Sequence, residues 1–412
     1  MTNFFRFPPA FIIGWFCIIA PSTAEVVRVA MIDALSGTFA PLGEKQLHTF
    51  EMLMANANKN HIAGKDITFE VNGFDGKGSP QESLSQLKAV IDQDFRYIAQ
   101  GGGSGVALAL IDAVNRHNAR NPGKELVFLN YQSIDPSLTN ENCSFWHFRF
   151  DPNTDMKMEA LTTAISHDPL IRKVYIIGQN YVHGRQFSKA AHEQLNRKRP
   201  DIEIVGDDLH SIGTVKDFAP YIAKIRAAHA DSVLTGNWGA DLGLLIKAAK
   251  DASLNANFYT FYAATAGVPT AIGASGAGKV KLAVSWIPNN ETFSGQDLAQ
   301  QFEKKYHDDF NITAIYNIVE MLAKAVRTTG TSDPVRVARA MEGMEIQGLN
   351  GQVTMRGTDH QAQQPQYIAS WEKLDGRTVK YGQEKTGYGW RMVEKVATYV
   401  GTKPTSCLMQ RP

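Results

Sequence analysis

The sequence predicts an α/β protein made of two doubly wound lobes joined by a hinge of several strands. Three observations carry this expectation. The chain has 412 residues, too many for one ordinary hydrophobic core. Short apolar runs alternate with stretches of helical periodicity up to Asn130, and the same alternation starts again at Lys173.

Val26–Ala34 is a buried strand by composition, and Ser36-Gly37-Thr38 turns the chain. Leu47, Phe50, Met54 and Ala57 recur at helical spacing, so residues 43–60 are expected to form a helix. Ile67–Asn72 is the next strand. A loop marked by Gly73, Gly76, Gly78 and Pro80 leads to a helix over 80–93, with Ser79 as its cap and Glu82 in its first turn. Tyr97–Gln100 reads as a strand, 105–118 as a helix and Leu126–Asn130 as a strand. The second series comprises strands at Lys173–Gly178, Ile202–Val205, Ser232–Thr235 and Asn257–Tyr262, with helices at 184–197, 216–228 and 240–252. Strands separated by helices imply parallel sheets covered on both faces. The last third adds a strand at Lys279–Ser285, helices near 295–308, 313–328 and 333–342, and strands at Gln352–Met355 and Tyr367–Trp371. It contains no third α/β series, so it is expected to complete the first two lobes, with the chain crossing between them more than once.

The first 24 residues are of another kind. Arg6 is the only charged side chain before Glu25, the apolar run Phe11–Ala20 follows, and Ser22-Thr23-Ala24 closes it with small residues. A basic start, a short apolar core and small residues describe a signal peptide cleaved after Ala24; a buried helix or an uncleaved anchor is the alternative. The run is short for a permanent span. Cleavage removes Cys17 and leaves Cys143 and Cys407, which an oxidising compartment invites into one disulfide; two separate buried thiols are the alternative. The formal net charge of +1 gives no reason to expect nucleic acid or an anionic membrane as partner.

Gln100-Gly101-Gly102-Gly103-Ser104-Gly105 lies between an expected strand and an expected helix. The glycines of this loop, Gly103 and Gly105 among them, allow a ligand close approach to the backbone, and the helix N-terminus with the Ser104 hydroxyl favours a carboxylate. A tight turn without a ligand is the competing reading. Val106 breaks the dinucleotide fingerprint, and the phosphate-loop lysine is missing, so no cofactor is expected. Asn130, Gln132 and Ser133 follow a strand end, where ligands of open α/β sheets bind, although turn polarity alone also explains them. Trp238, in Gly-Asn-Trp-Gly after a strand, could cover a ligand or fill a core. Tyr181, His183 and Tyr262 sit at comparable positions. No metal-ligand cluster surrounds His183. No Gly-x-Ser-x-Gly elbow is present, because Val106 stands where a closing glycine is needed.

Val29–Gly37 with Gly43, Gly101–Leu108, Asn130–Thr139, Lys173–Gly184, Gly236–Gly239 and Gly351–Gln361 together give a chain that resembles the branched-chain-amino-acid-type substrate-binding proteins of ABC transporters. The resemblance implies a type I periplasmic binding fold, with lobe 1 formed by 25–146 plus 287–356 and lobe 2 by 147–286 plus 357–412. It implies a monomeric periplasmic protein, not an enzyme, that takes a small-molecule ligand between its lobes and delivers it to permease subunits in the inner membrane. Ser104 matches the family's ligand-contacting serine, and Trp238 an aromatic of the cleft. Ile134 replaces the usual threonine, and His183 stands where tyrosine is common. The family often places an acidic residue after the Phe258–Tyr262 strand to hold an ammonium group, and Tyr262-Ala263-Ala264-Thr265-Ala266-Gly267 has none. The expected ligand is a small carboxylate, either a branched-chain or other amino acid or an aromatic or aliphatic acid; because an unpaired buried ammonium is costly, the amine-free acid is the reading unless another residue supplies the charge. A sensory module docking on a membrane receptor is the second functional reading, and a hydrolase the third. Asp359-His360-Gln361 is expected to be structural.

Overall fold

The computed structural model describes residues 1–2, 25–310 and 312–412; apart from its first two residues, the expected signal peptide lies outside them, and so does its cleavage point. The first strands and helices are β1 (Glu25–Asp33), α1 (Ala40–Lys59), β2 (Ile67–Asp75), α2 (Pro80–Asp92), β3 (Tyr97–Gln100), α3 (Ser104–Arg120), β4 (Val127–Asn130) and β5 (His147–Arg149). Their five strands make one parallel sheet in the order β2-β1-β3-β4-β5. The side chains of β1 explain the layering. Val27, Val29 and Met31 enter a core with Phe50 and Leu53 of α1. Ala30 and Ile32, the alternate residues, enter another with Leu87 and Val90 of α2 and Leu110 of α3. A strand buried on both faces needs helices on both sides, and each large aliphatic residue so buried contributes about 1.5–3 kcal/mol.

The second lobe continues with α4 (Thr154–Ser166), β6 (Lys173–Gln179), α5 (Val182–Lys198), β7 (Glu203–His210), α6 (Ala219–Ala227), β8 (Ser232–Thr235), α7 (Gly239–Asp251), β9 (Asn257–Thr260), α8 (Val268–Ile272) and β10 (Val280–Val284). The chain then forms α9 (Gln296–Tyr306), α10 (Thr313–Thr329) and α11 (Pro334–Met341), with α10 packed on α1 of the first lobe. A small antiparallel sheet follows, β11 (Glu345–Gly348), β12 (Gly351–Met355) and β13 (Ala362–Gln363). Last come β14 (Gln366–Lys373) and β15 (Tyr388–Val396). These two pair antiparallel at one edge of the second sheet, whose order is β15-β14-β10-β9-β8-β6-β7. No helix among the described residues is long and apolar enough to cross a membrane.

The chain passes between the lobes after β5, after β10 and after β13. Two of these crossings are joined through Arg149, whose side chain is fully buried. Its Nε donates to Gln361 Oε1 at 2.6 Å, its Nη1 to the Asp135 carbonyl at 2.5 Å, and its Nη2 to Thr139 Oγ1. Gln361 in turn donates to the Asp151 carbonyl at 3.0 Å, and the backbone of Arg149 bridges to Gln361. Asp359 pairs with Arg356, and His360 stacks on Phe148 at 3.9 Å and meets Glu342 at 3.0 Å. Asp359, His360 and Gln361 therefore brace the hinge. β5 itself, just past the expected boundary at residue 146, pairs with β4 in the first sheet.

Cys143 and Cys407 form a disulfide with an S–S distance of 2.01 Å. The tail around it lies on both lobes. Thr405 Oγ1 donates to the Thr139 carbonyl at 2.9 Å and Arg411 pairs with Glu342, whereas Lys403 reaches Glu159 of α4.

Candidate functional site

The site is assembled on the carboxyl end of the first sheet. Asp33, the last residue of β1, accepts hydrogen bonds from the N–H groups of Gly101 and Gly102 at 3.0 and 2.9 Å and from the Tyr131 hydroxyl at 2.5 Å. This carboxylate holds the glycine loop from beneath. A Cβ at Gly101 would lie 2.2 Å from the Tyr131 ring, and one at Gly102 would lie 2.2 Å from Asp33 Oδ1. These two glycines are thus required by the loop's own packing, which the sequence reading attributed to ligand approach. Gly103 has φ +94° and caps α3 without a side-chain bond.

The start of α3 borders a cleft of about 350 Å³ between the lobes. The first lobe contributes Leu42, Gly101–Ser104 and Gln132–Ile134, and the second lobe contributes Tyr181, His183, Trp238, Tyr262 and Thr265. The Ser104 hydroxyl accepts from the Asp135 N–H at 3.3 Å, which leaves its own proton available. The first N–H groups of a helix have no intrahelical partner. One wall therefore offers backbone donors, a hydroxyl donor and the positive end of a 17-residue helix, a combination suited to an anion.

The opposite wall is aromatic. Trp238 Nε1 donates to the Tyr181 hydroxyl at 2.8 Å, and the His183 ring lies edge-on to Tyr181 and Tyr262 at 5.7 and 6.1 Å. His183 Nδ1 meets Thr154 Oγ1 at 3.1 Å. Burial pushes the His183 pKa down to about 4, so the ring is neutral near pH 7. Unfolding restores the ordinary value near 6.5, and the unfolded chain then binds the extra proton between these values. Stability is expected to be fully present above about pH 6.5 and to fall by roughly 3 kcal/mol towards pH 4 from this group. His147, also buried and held well below its ordinary value, adds to the same slope. Urea denaturation across this range should show a shallower slope for His183→Asn.

The lobes meet at the cleft mouth, where Phe39 packs on Trp238 with ring centroids 4.3 Å apart. Phe39→Ala removes an aromatic contact worth about 0.5–1.5 kcal/mol beyond its buried area. Scattering of the solute-loaded protein should show a more open average shape for this variant, with faster solute release in stopped flow.

Of the expected site residues, Gly103, Ser104, Gln132, Ser133, Tyr181, His183, Trp238 and Tyr262 line this cavity. Gly105 lines the adjoining space on the Phe39 side. Asn130 lies behind the wall, donating to the Ser133 carbonyl at 2.9 Å. Leu42, Phe39 and Thr265 escaped the sequence reading, since nothing in their spacing marks them as sharing a cleft. Among the described residues no group of three or more His, Cys, Asp or Glu side chains is placed to hold a metal ion, and no side chain lining the cavity carries a carboxylate, a lysine amine or a guanidinium.

The family model described as "Periplasmic binding protein" matches residues 26–377. The chain belongs to the periplasmic binding protein family. This binding protein is of the branched-chain-amino-acid type and has the type I fold. It is 29% identical over 406 residues to Leu/Ile/Val-binding protein homolog 4 of Brucella melitensis, covering 95% of each chain. The crystal structure of the leucine-, isoleucine-, valine-, threonine- and alanine-binding protein of Brucella ovis, in a closed conformation, superposes with a TM-score of 0.81 at 28% identity, over 94% of this chain and 100% of that one. A solute-binding protein of R. palustris in complex with benzoate gives 0.77 at 17% identity, over 93% and 100%, a likeness of fold.

Proposed function

We propose that this binding protein is the periplasmic solute-capturing component of an ABC importer, exported by a signal peptide cleaved after Ala24. It takes a small carboxylate between its lobes and presents it, chemically unchanged, to the permease. The observation that carries the reading is the start of α3, with Ser104, facing a neutral aromatic wall across one cleft. The relatives named above for amino acids and the fold neighbour holding benzoate agree with a small acid as guest.

Among these acids the geometry favours one without an amine. An ammonium group desolvated in the cleft needs a carboxylate, and the lining residues supply none. Asp151, in the adjoining chamber, is engaged by Lys157 at 2.9 Å. A thermal-shift and calorimetry panel of aliphatic acids, aromatic acids and amino acids tests this, because a ligand that binds only the folded state raises the melting point. Aromatic or aliphatic acids are expected to bind and leucine or valine to bind weakly. Tight leucine binding with no response to plain acids would reverse the preference, and silence across the panel would remove the carboxylate reading.

A further inference from the structure

A second chamber of about 640 Å³ opens beside the cleft, and both are bordered by Leu42, Gln132, Tyr262 and Thr265. Its lining includes Lys157, in the first turn of α4, and Asp151, in the segment that crosses between the lobes after β5; neither borders the cleft itself. The two side chains are nearly buried and paired at 2.9 Å, and the Lys157 ammonium lies 5.5 Å from the Tyr262 ring centroid. A buried ion pair adds little to stability after desolvation, so fold stability is a poor reason for one at this place. An ammonium has three protons to donate and a carboxylate has two oxygens; one contact joins these two groups, which leaves donors and an acceptor for a guest.

Charge sets what the guest carries there. The other cation of the chamber, Lys45, is likewise neutralised, by Asp308 at 2.9 Å. A further full charge entering a space whose cations are both already paired would lack a counter-ion. A hydroxyl or a carboxamide has both a donor for Asp151 and an acceptor for Lys157. We propose that the second chamber is a distal subsite, and that the solute is an elongated acid whose far end bears such a neutral hydrogen-bonding group. This rests on the reading of the cleft as a carboxylate clamp. Because Asp151 belongs to a crossing segment and its carbonyl is bonded to Gln361, a guest long enough to reach it touches the hinge, which makes solute length part of the selection.

The test compares matched acids on one protein: benzoate, phenylacetate and 3-phenylpropanoate, each against its 4-hydroxy derivative, by calorimetry. In the wild type the hydroxyl is expected to tighten binding about tenfold or more at one chain length, the scale of a hydrogen bond to a charged group. Lys157→Met alone could misfold by stranding Asp151, so the variant is the double substitution Lys157→Met with Asp151→Asn, which removes both charges together. The readout is the ratio between the two acids of a pair on the same protein, so a general change in affinity cancels. Loss of the hydroxyl's advantage in the double variant supports the subsite. An advantage that persists there, or hydroxylated and plain acids binding the wild type equally at every length, overturns it while leaving the clamp intact. Failure of every acid to bind removes the clamp and the subsite together.

Discussion

Replacing Ser104 with alanine is expected to weaken acid binding by about 10- to 100-fold, the cost of one hydrogen bond to a charged acceptor at about 1.5–3 kcal/mol. The hydroxyl stands in the first turn of α3, where helix N–H groups and dipole already favour an anion, so some affinity should survive. Its other bond, accepted from the Asp135 N–H at 3.3 Å, is long, and its loss should cost little stability. Calorimetry with the tightest acid from the panel, beside far-ultraviolet circular dichroism and a melting curve, separates a lost contact from a damaged fold. Affinity that stays within twofold in a folded variant would place the carboxylate elsewhere in the cleft.

Arg149→Met is expected to be the most damaging single change in the hinge, lowering unfolding free energy by about 3–5 kcal/mol. The guanidinium is fully buried, and its bonds to Gln361, Asp135 and Thr139 hold two crossings of the chain together. It also faces the charges of Asp135, Asp359, Asp151 and Asp155, which methionine cannot balance. Urea denaturation reads the loss. A midpoint unchanged from wild type would mean that the aromatic packing of Phe145, Phe148 and His360, not the cation, sustains the hinge.

The fold was legible in the sequence wherever burial was periodic. β1 reads as a central strand because Val27, Val29 and Met31 alternate with Ala30 and Ile32 and both sets are buried. α4 was not read, and its side chains show why. Thr154, Lys157, Glu159 and Thr162 are buried along with Met156, Met158 and Leu161, so polar and apolar residues do not divide between two faces and no helical stripe emerges. β5 has three residues and β13 two, too few to show a period. β14 was read, but its partner β15 carries Gly389, Arg391, Glu394 and Lys395 at the sheet edge, which obscures the alternation. For the site, the glycine loop and Trp238 announced themselves through strand–loop–helix context. Asp151 and Lys157 did not, because each is an ordinary polar residue until α4 turns back beneath Tyr262. Phe39 and Trp238 are far apart in sequence and become neighbours only in the fold, across the two lobes.

The bridge between Cys143 and Cys407 has a consequence for the order in which the molecule is made. The cysteines are separated by 264 residues, and β15 ends at Val396, ahead of the second one. At ordinary translation rates Cys143 waits roughly 10–50 s for its mate to be polymerised. Every strand of both sheets has by then been synthesised. The sulfur–sulfur link therefore has to wait until every strand of both sheets has been made, and it closes as a late latch between the middle of the chain and its tail.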